Sequence, residues 1–217
     1  MTEQGKKLEI ALEQGMEELL PEKAVRQIIL NALDVFARKG LAGAKIKDIA
    51  AKAGFSQGFI YNYFQSKDEI FTRIVDLAAD GAAATVRKTS LLAGSPYEKI
   101  FWMTEALLAP DSIAMQHWRL IMIQTAISEA VPEEAMRISR AKMKQPIELL
   151  IPILAEGQRQ GQITEAAPVM LAMTYFSIVQ GLGMTRMQVS ANLPFPSVTM
   201  ILSFLRAPGF APDMQES

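Results

Sequence analysis

Residues 54–64 read GFSQGFIYNYF, a run in which aromatic rings alternate with Gly54, Gly58 and the small polar side chains Ser56, Gln57 and Asn62. Tyr61 and Tyr63 are two residues apart, so on any helix they point to different sides. Phenols and carboxamides are hydrogen-bonding groups rather than nucleophiles. A segment lying in a groove with a polyanion on either side uses such a pair well, because each hydroxyl donates to a phosphate oxygen. Catalytic chemistry finds less material. The chain has no cysteine and one histidine, His117, and Asp111, Glu129, Glu133 and Glu134 form no metal-ligand or nucleophile–base spacing with it. An all-α enzyme is the rival reading from another class. No metal site and no cofactor are expected.

The elements that must position residues 54–64 are helical. Helical periodicity runs from end to end, and no alternation long enough for a strand interrupts it, so the fold class is all-α. Leu8, Leu12, Met16 and Leu19 form the stripe of an amphipathic extension over residues 1–20. Pro21 ends it. Val25, Ile28, Ile29, Ala32, Leu33 and Phe36 then make the apolar stripe of a helix that Gly40 stops by a left-handed turn. A short helix at 46–53 carries Ile49, Ala50 and Ala53 on one side, Gly54 follows, and Ser56 is the N-cap of a second short helix at 57–64. Ser66 and Glu69 form a capping box for a longer helix reaching about residue 88. Gly and Pro breakers divide the remainder into long helical segments.

Two helices of about eight residues are too short to be stable alone. Their spacing fits a helix-turn-helix: Ala50 is small enough for the crossing, Gly54 permits positive φ, and Ile60 anchors the second helix from beneath. Ile49 and Phe64 are also inward, which leaves Gln57, Phe59, Tyr61, Asn62 and Tyr63 for other work. Charge points the same way. Residues 21–71 hold eight Lys and Arg against five acids, residues 1–20 hold two against five, and the whole chain is near neutral at −1. A basic excess confined to a small headpiece suits a phosphate backbone.

The stretch GLAGAKIKDIAAKAGFSQGFIYNYFQSKDEIF, residues 40–71, resembles the DNA-binding headpiece of the tetracycline-repressor (TetR) family, through Gly40, Asp48, Ile49, Ala50, Ala53, Gly54, Ser56, Gly58, Tyr61, Phe64 and Lys67. EGQRQGQI at 156–163 and the Gly181-Leu182-Gly183 turn are similar to that family's looser C-terminal pattern. The resemblance implies a transcription regulator, usually a repressor, that binds a palindromic operator in double-stranded DNA as a homodimer and is released by a small molecule. It places Gln57, Phe59 and Asn62 at base-facing positions, with Lys47 reaching from the preceding helix, and makes Tyr61, Tyr63 and Lys67 phosphate contacts around Ser56 and Gly58. Carboxamides such as those of Gln57 and Asn62 bond an adenine edge, and Phe59 packs on a thymine methyl or turns inward. One departure stands out. The family often has threonines where this chain has Ala44 and Lys45, so the hydroxyl cap of the helix at 46–53 is missing.

The sequence thus divides into an N-terminal extension (1–20), a helix-turn-helix domain (21–71) and a larger ligand-binding and dimerisation domain (72–217). The helices at about 166–187 and 196–206 are the candidates for the dimer, since VMLAMTYFSIVQGLGM is apolar nearly all round. Trp102, Met103, Met115, His117, Trp118, Met122 and Gln124, with Tyr175 and Phe176, are the candidate effector residues: Met and aromatic side chains line an adaptable apolar cavity or fill a core. The effector is expected to be apolar or aromatic. No export signal or membrane-length apolar run is visible, which points to the cytoplasm. A helical regulatory module that does not read DNA is the second alternative.

Overall fold

The computed structural model describes residues 1–20, 22–109, 120–125, 129–188 and 194–212, without the side chains of 12–19 and 187–188. Ten helices and a closing 3₁₀ turn carry the described chain: α1 (Glu3–Leu19), α2 (Lys23–Gly43), α3 (Ile46–Ala53), α4 (Gln57–Tyr61), α5 (Lys67–Ser90), α6 (Pro96–Leu107), α7 (Glu133–Lys142), α8 (Lys144–Arg159), α9 (Pro168–Gln188), α10 (Val198–Ile201) and the turn Leu202–Leu205. Residues 120–125 are helical as well. Among the described residues the only β-type pairing is an isolated bridge between Ile163 and Arg206.

The chain forms two compact units. One comprises Met1–Glu13, Ala82–Asp111 and Lys144–Ser217; the other comprises Gln14–Gly81 and Ser112–Met143. The second unit contains the headpiece, and its core gathers Ile28, Ile29, Leu33 and Phe36 of α2, Ile49 and Ala50 of α3, Ile60 of α4, and Ile70, Phe71 and Ile74 of α5. Phe36 and Phe71 meet edge to face at 5.4 Å, a preferred arrangement of two ring quadrupoles. Gly40 has φ 67° and ψ 167°, outside the helical region, yet residues 41–43 add a further turn beyond it. The glycine is therefore a kink rather than the stop its type suggested.

The other unit is built around α6, α8 and α9, with Tyr97, Phe101, Met103, Leu150, Leu154, Tyr175, Leu202 and Leu205 in its core. Pro96 opens α6 behind a complete capping box, in which Glu98 N–H donates to Ser95 Oγ at 3.3 Å and Ser95 N–H to Glu98 Oε2 at 2.7 Å. EGQRQGQI proves to be a corner. Gly161 has φ 68°, Ile163 is buried, and a side chain on Gly157 would meet Ile163 at 2.4 Å. Gln158 Nε2 holds the chain that follows through the carbonyls of Thr164 and Ala166. Leu8 of α1 is buried in this unit's core, and Thr2 donates its N–H to Glu105 Oε1 at 2.8 Å. The extension thus packs its first turns here, whereas Leu20 at its end is buried in the headpiece unit.

Candidate nucleic-acid interface

Only five residues of α4 are helical, three fewer than the sequence reading expects, because the chain tightens after Tyr61: the N–H groups of Tyr63 and Phe64 both donate to the Ile60 carbonyl at 3.0 Å. So short a helix needs external support, and three features supply it. Ile60 is fully buried, with Ala50 and Phe64 also inside. Gly54 takes φ 71° and ψ 27°, ending α3 in the left-handed conformation. Ser56 Oγ accepts the Phe59 N–H at 3.1 Å and caps α4. Each was legible from spacing. The opposite face, with Gln57, Gly58, Tyr61 and Asn62, is exposed, and Tyr61 is 54% accessible.

Phe59 and Tyr63 are half-buried. Phe59 lies between Phe55, at 4.4 Å between ring centres, and Tyr63, at 5.3 Å. It neither stands clear for a base nor turns fully into the core. The Tyr63 phenol donates to the Glu22 carboxylate, which, with a smaller effect of burial, raises its pKa above the ordinary tyrosine value. Lys47 is exposed on α3. Lys67 is placed differently from a simple phosphate contact: its ammonium donates to the carbonyls of Leu41 at 2.7 Å, Ala42 at 3.3 Å and Ala44 at 3.1 Å. An ammonium has three donors, and here all three tie the start of α5 to the end of α2.

Two further ties orient α3. Asp34 on α2 accepts from Arg38 Nε at 2.9 Å, four residues on, and from Lys52 Nζ of α3 at 2.6 Å. Burial alone would raise the Asp34 pKa, but the hydrogen bonds from Lys52 and Arg38 outweigh it and hold the carboxyl low. Gln27 Nε2 also donates to the Ala53 carbonyl at 2.7 Å. Sequence reasoning missed Asp34, Gln27 and Lys52. At the start of α3 the missing hydroxyl cap is replaced in part: Lys45 N–H donates to Asp48 Oδ2 at 3.1 Å, the reciprocal half of a capping box, while a lysine side chain has no lone pair to accept a bond in return. Lys39 Nζ lies 3.1 Å from the same carboxylate and, chiefly through that hydrogen bond, lowers the Asp48 pKa.

The candidate effector residues are distributed less tidily. Met115, His117 and Trp118 lie outside the described residues. Trp102, Met103 and Tyr175 are buried in the α6–α8–α9 unit, with Phe176 packed against them. Trp102 is tightly placed, since a side chain on Gly94 (φ 146°) would meet its ring at 2.5 Å. The Tyr175 hydroxyl lies 3.0 Å from Thr104 Oγ1, and burial pushes the phenol's pKa well up against the opposing effect of that bond. Met122 and Gln124 belong to the other unit, where Met122 packs on the core and Gln124 Nε2 reaches the Phe36 carbonyl at 3.4 Å. A groove of about 540 Å³ in that unit is lined by Val25, Tyr63, Phe64, Arg73, Asp76 and Glu134 among others, none of them a candidate effector residue. No helix among the described residues is long and apolar enough to cross a membrane.

A short helix held from beneath, capped by serine and presenting carboxamides and a phenol outward, defines a helix-turn-helix protein, a class whose second helix enters a nucleic-acid groove. Residues 28–74 match the family described as bacterial regulatory proteins, tetR family. The headpiece is thus of the TetR type, that of DNA-binding transcriptional regulators. It is 27% identical over 169 residues to the HTH-type transcriptional repressor SCO4008 of Streptomyces coelicolor, covering 73% of this chain and 80% of that one. Its fold is similar to that of SmeT in complex with triclosan (TM-score 0.70, 19% identity, 89% of this chain and 97% of that one). It is also similar to a transcriptional regulator of Saccharomonospora viridis in complex with choline (TM-score 0.65, 21% identity, 84% and 93%).

Proposed function

We propose that the protein binds a palindromic operator in double-stranded DNA as a homodimer, one α4 in each of two successive major grooves, and represses transcription until a small, largely apolar effector binds. The observation that carries this reading is the division of α4 itself: Ile60 is inside the core while Gln57, Tyr61 and Asn62 are outside it. Gln57 and Asn62 bond base edges, Phe59 turns its accessible part to a thymine methyl once the groove closes on it, and Lys47 adds a cation beside them. Tyr61 grips phosphate, and Tyr63 does so once its phenol leaves Glu22. Lys67 acts through the backbone it holds. On this reading residues 21–71 form the DNA-binding domain, 72–217 sense the effector and dimerise, 1–20 are an added extension, and the protein works in the cytoplasm.

For the dimer, α9 has the required surface. Leu171, Ala172, Tyr175 and Val179 face the core, whereas Val169, Met170 and Met173 are exposed beside Thr174, Ser177 and Gln180, as is Met200 of α10. Gly181 is exposed and has nothing among the described residues where a side chain would stand, so another helix can approach closely there. Trp102, Met103, Tyr175 and Phe176, which pack the core of the α6–α8–α9 unit, have the apolar, polarisable surface that suits an aromatic effector.

Selection of bound duplexes from a random pool tests the reading. Enrichment of an inverted repeat whose half-sites lie one helical turn apart, about 34–36 Å, with affinity that falls steeply with salt, is the expected result. Failure to enrich any repeat removes it and favours the module that does not read DNA. Triclosan added to the selected complex is expected to lower duplex affinity. Release by choline and not by triclosan makes the effector cationic instead.

A further inference from the structure

The chain runs out of the headpiece unit at the end of two segments: α5 leaves it after Gly81, and α7 closes it at Met143. The residues just inside both exits are tied to each other. Lys142, the last residue of α7, places its ammonium 2.6 Å from Asp76 Oδ1 and 2.7 Å from Asp80 Oδ1 of α5. Arg73 Nη1 holds the other Asp76 oxygen at 3.0 Å. Asp76 and Asp80 are four apart on α5 and therefore neighbours on one face, where two carboxylates repel unless a cation lies between them. The Lys142 side chain is only 26% accessible and that of Asp76 23%, so water screens this cluster less than an open surface pair. Burial works against the Lys142 charge, yet its hydrogen bonds to the two aspartates raise its pKa above the ordinary lysine value.

The backbone gives the tie its significance. Pro146 stands in the first turn of α8 and has no N–H. The Lys142 carbonyl, four residues back, therefore lacks its helical donor, and the helical ladder stops between α7 and α8. The Lys142 side chain ties this end of α7 to α5. The next residue of α5 after Asp80 is Gly81, which has no side chain. We propose that Lys142, Asp76 and Asp80 form a latch that holds the headpiece unit in its DNA-binding arrangement. This rests on the headpiece reading DNA. No residue of the latch lies on α3 or α4.

The test uses the full-length protein and a palindromic duplex enriched from a random pool, titrated at several salt concentrations well below the melting temperature. Lys142→Met is expected to weaken duplex binding about tenfold without changing the salt slope, because no phosphate contact is lost. The pair Asp76→Asn with Asp80→Asn is expected to do the same, and combining all three changes to add little more, as for residues acting as a unit. Should Lys142→Met fail to fold, Asp80→Asn alone, which leaves the Lys142–Asp76 bond in place, is expected to lose about threefold. Folded variants that bind within twofold of the parent, or bind more tightly, overturn the latch. So does a salt slope reduced by one phosphate contact, which makes Lys142 a direct DNA ligand. A parent that binds no duplex overturns the DNA reading itself, and that outcome is distinct because it precedes any variant.

Discussion

The α4 surface and the α6 core use similar side chains in opposite ways. Around α4, function is assigned to groups that point out, and a separate set, Ile60, Phe64 and Ala50, carries the packing. In the other unit, Trp102, Met103 and Tyr175 are at once the effector candidates and the core. The lesson concerns separability. Outward residues of the headpiece can be exchanged without removing support, whereas each exchange in the α6 region changes packing and recognition together.

The largest effects should erase this contrast, since they strike cores in both units. Ile60→Ala and Met103→Ala each remove a fully buried side chain, and each should cost about 2–5 kcal/mol in thermal or urea unfolding; a loss under about 1 kcal/mol at either place means that the site collapses around the gap. Asn62→Ala sharpens the contrast. It should leave the melting temperature unchanged while costing about 1–3 kcal/mol of discrimination at one base pair of the half-site, and a uniform loss over all duplexes would reassign Asn62 to the backbone. Lys45→Thr supplies the hydroxyl absent at the start of α3 and removes a cation there, with a gain of about 0.5–1 kcal/mol expected. A lower urea midpoint for that variant contradicts the account of the cap. The smallest effect comes from acid. Asp34 and Asp48 have folded pKa values below their ordinary values, so the stability they contribute is present above about pH 4 and lost as pH falls through the lowered values. Replacing both by Asn should flatten the acid limb of the unfolding profile.

Much of the headpiece could be read before any coordinates because its determinants are local. The Ser56 cap, the Gly54 turn and the inward set Ile49, Ala50, Ile60 and Phe64 depend on neighbours a few residues away. The Ser66 box was read with one displacement: Glu69 N–H donates to Ser66 Oγ, but the Glu69 carboxylate accepts from Gln65 N–H rather than from Ser66. What escaped was long-range. The reach of Lys67 to α2, of Lys52 to Asp34 and of Lys142 to α5 joins residues 18 to 66 positions apart, and no periodicity encodes such pairs. Composition marked the α6 region as rich in Met and aromatics but cannot distinguish a lining from a filling, because both demand the same apolar surface. Gln124 illustrates the limit: its Oε1 is buried with no partner among the described residues, which no spacing foretells.

The series of tilted rings Phe55, Phe59 and Tyr63, fastened at its end by Glu22, carries an evolutionary consequence. A change of ring at position 59, made to favour a new operator, also loosens the tyrosine beside it, so drift in target preference at this place carries drift in overall grip. Divergence toward new binding sequences is easier through Gln57 and Asn62, whose exposed carboxamides are not part of that series.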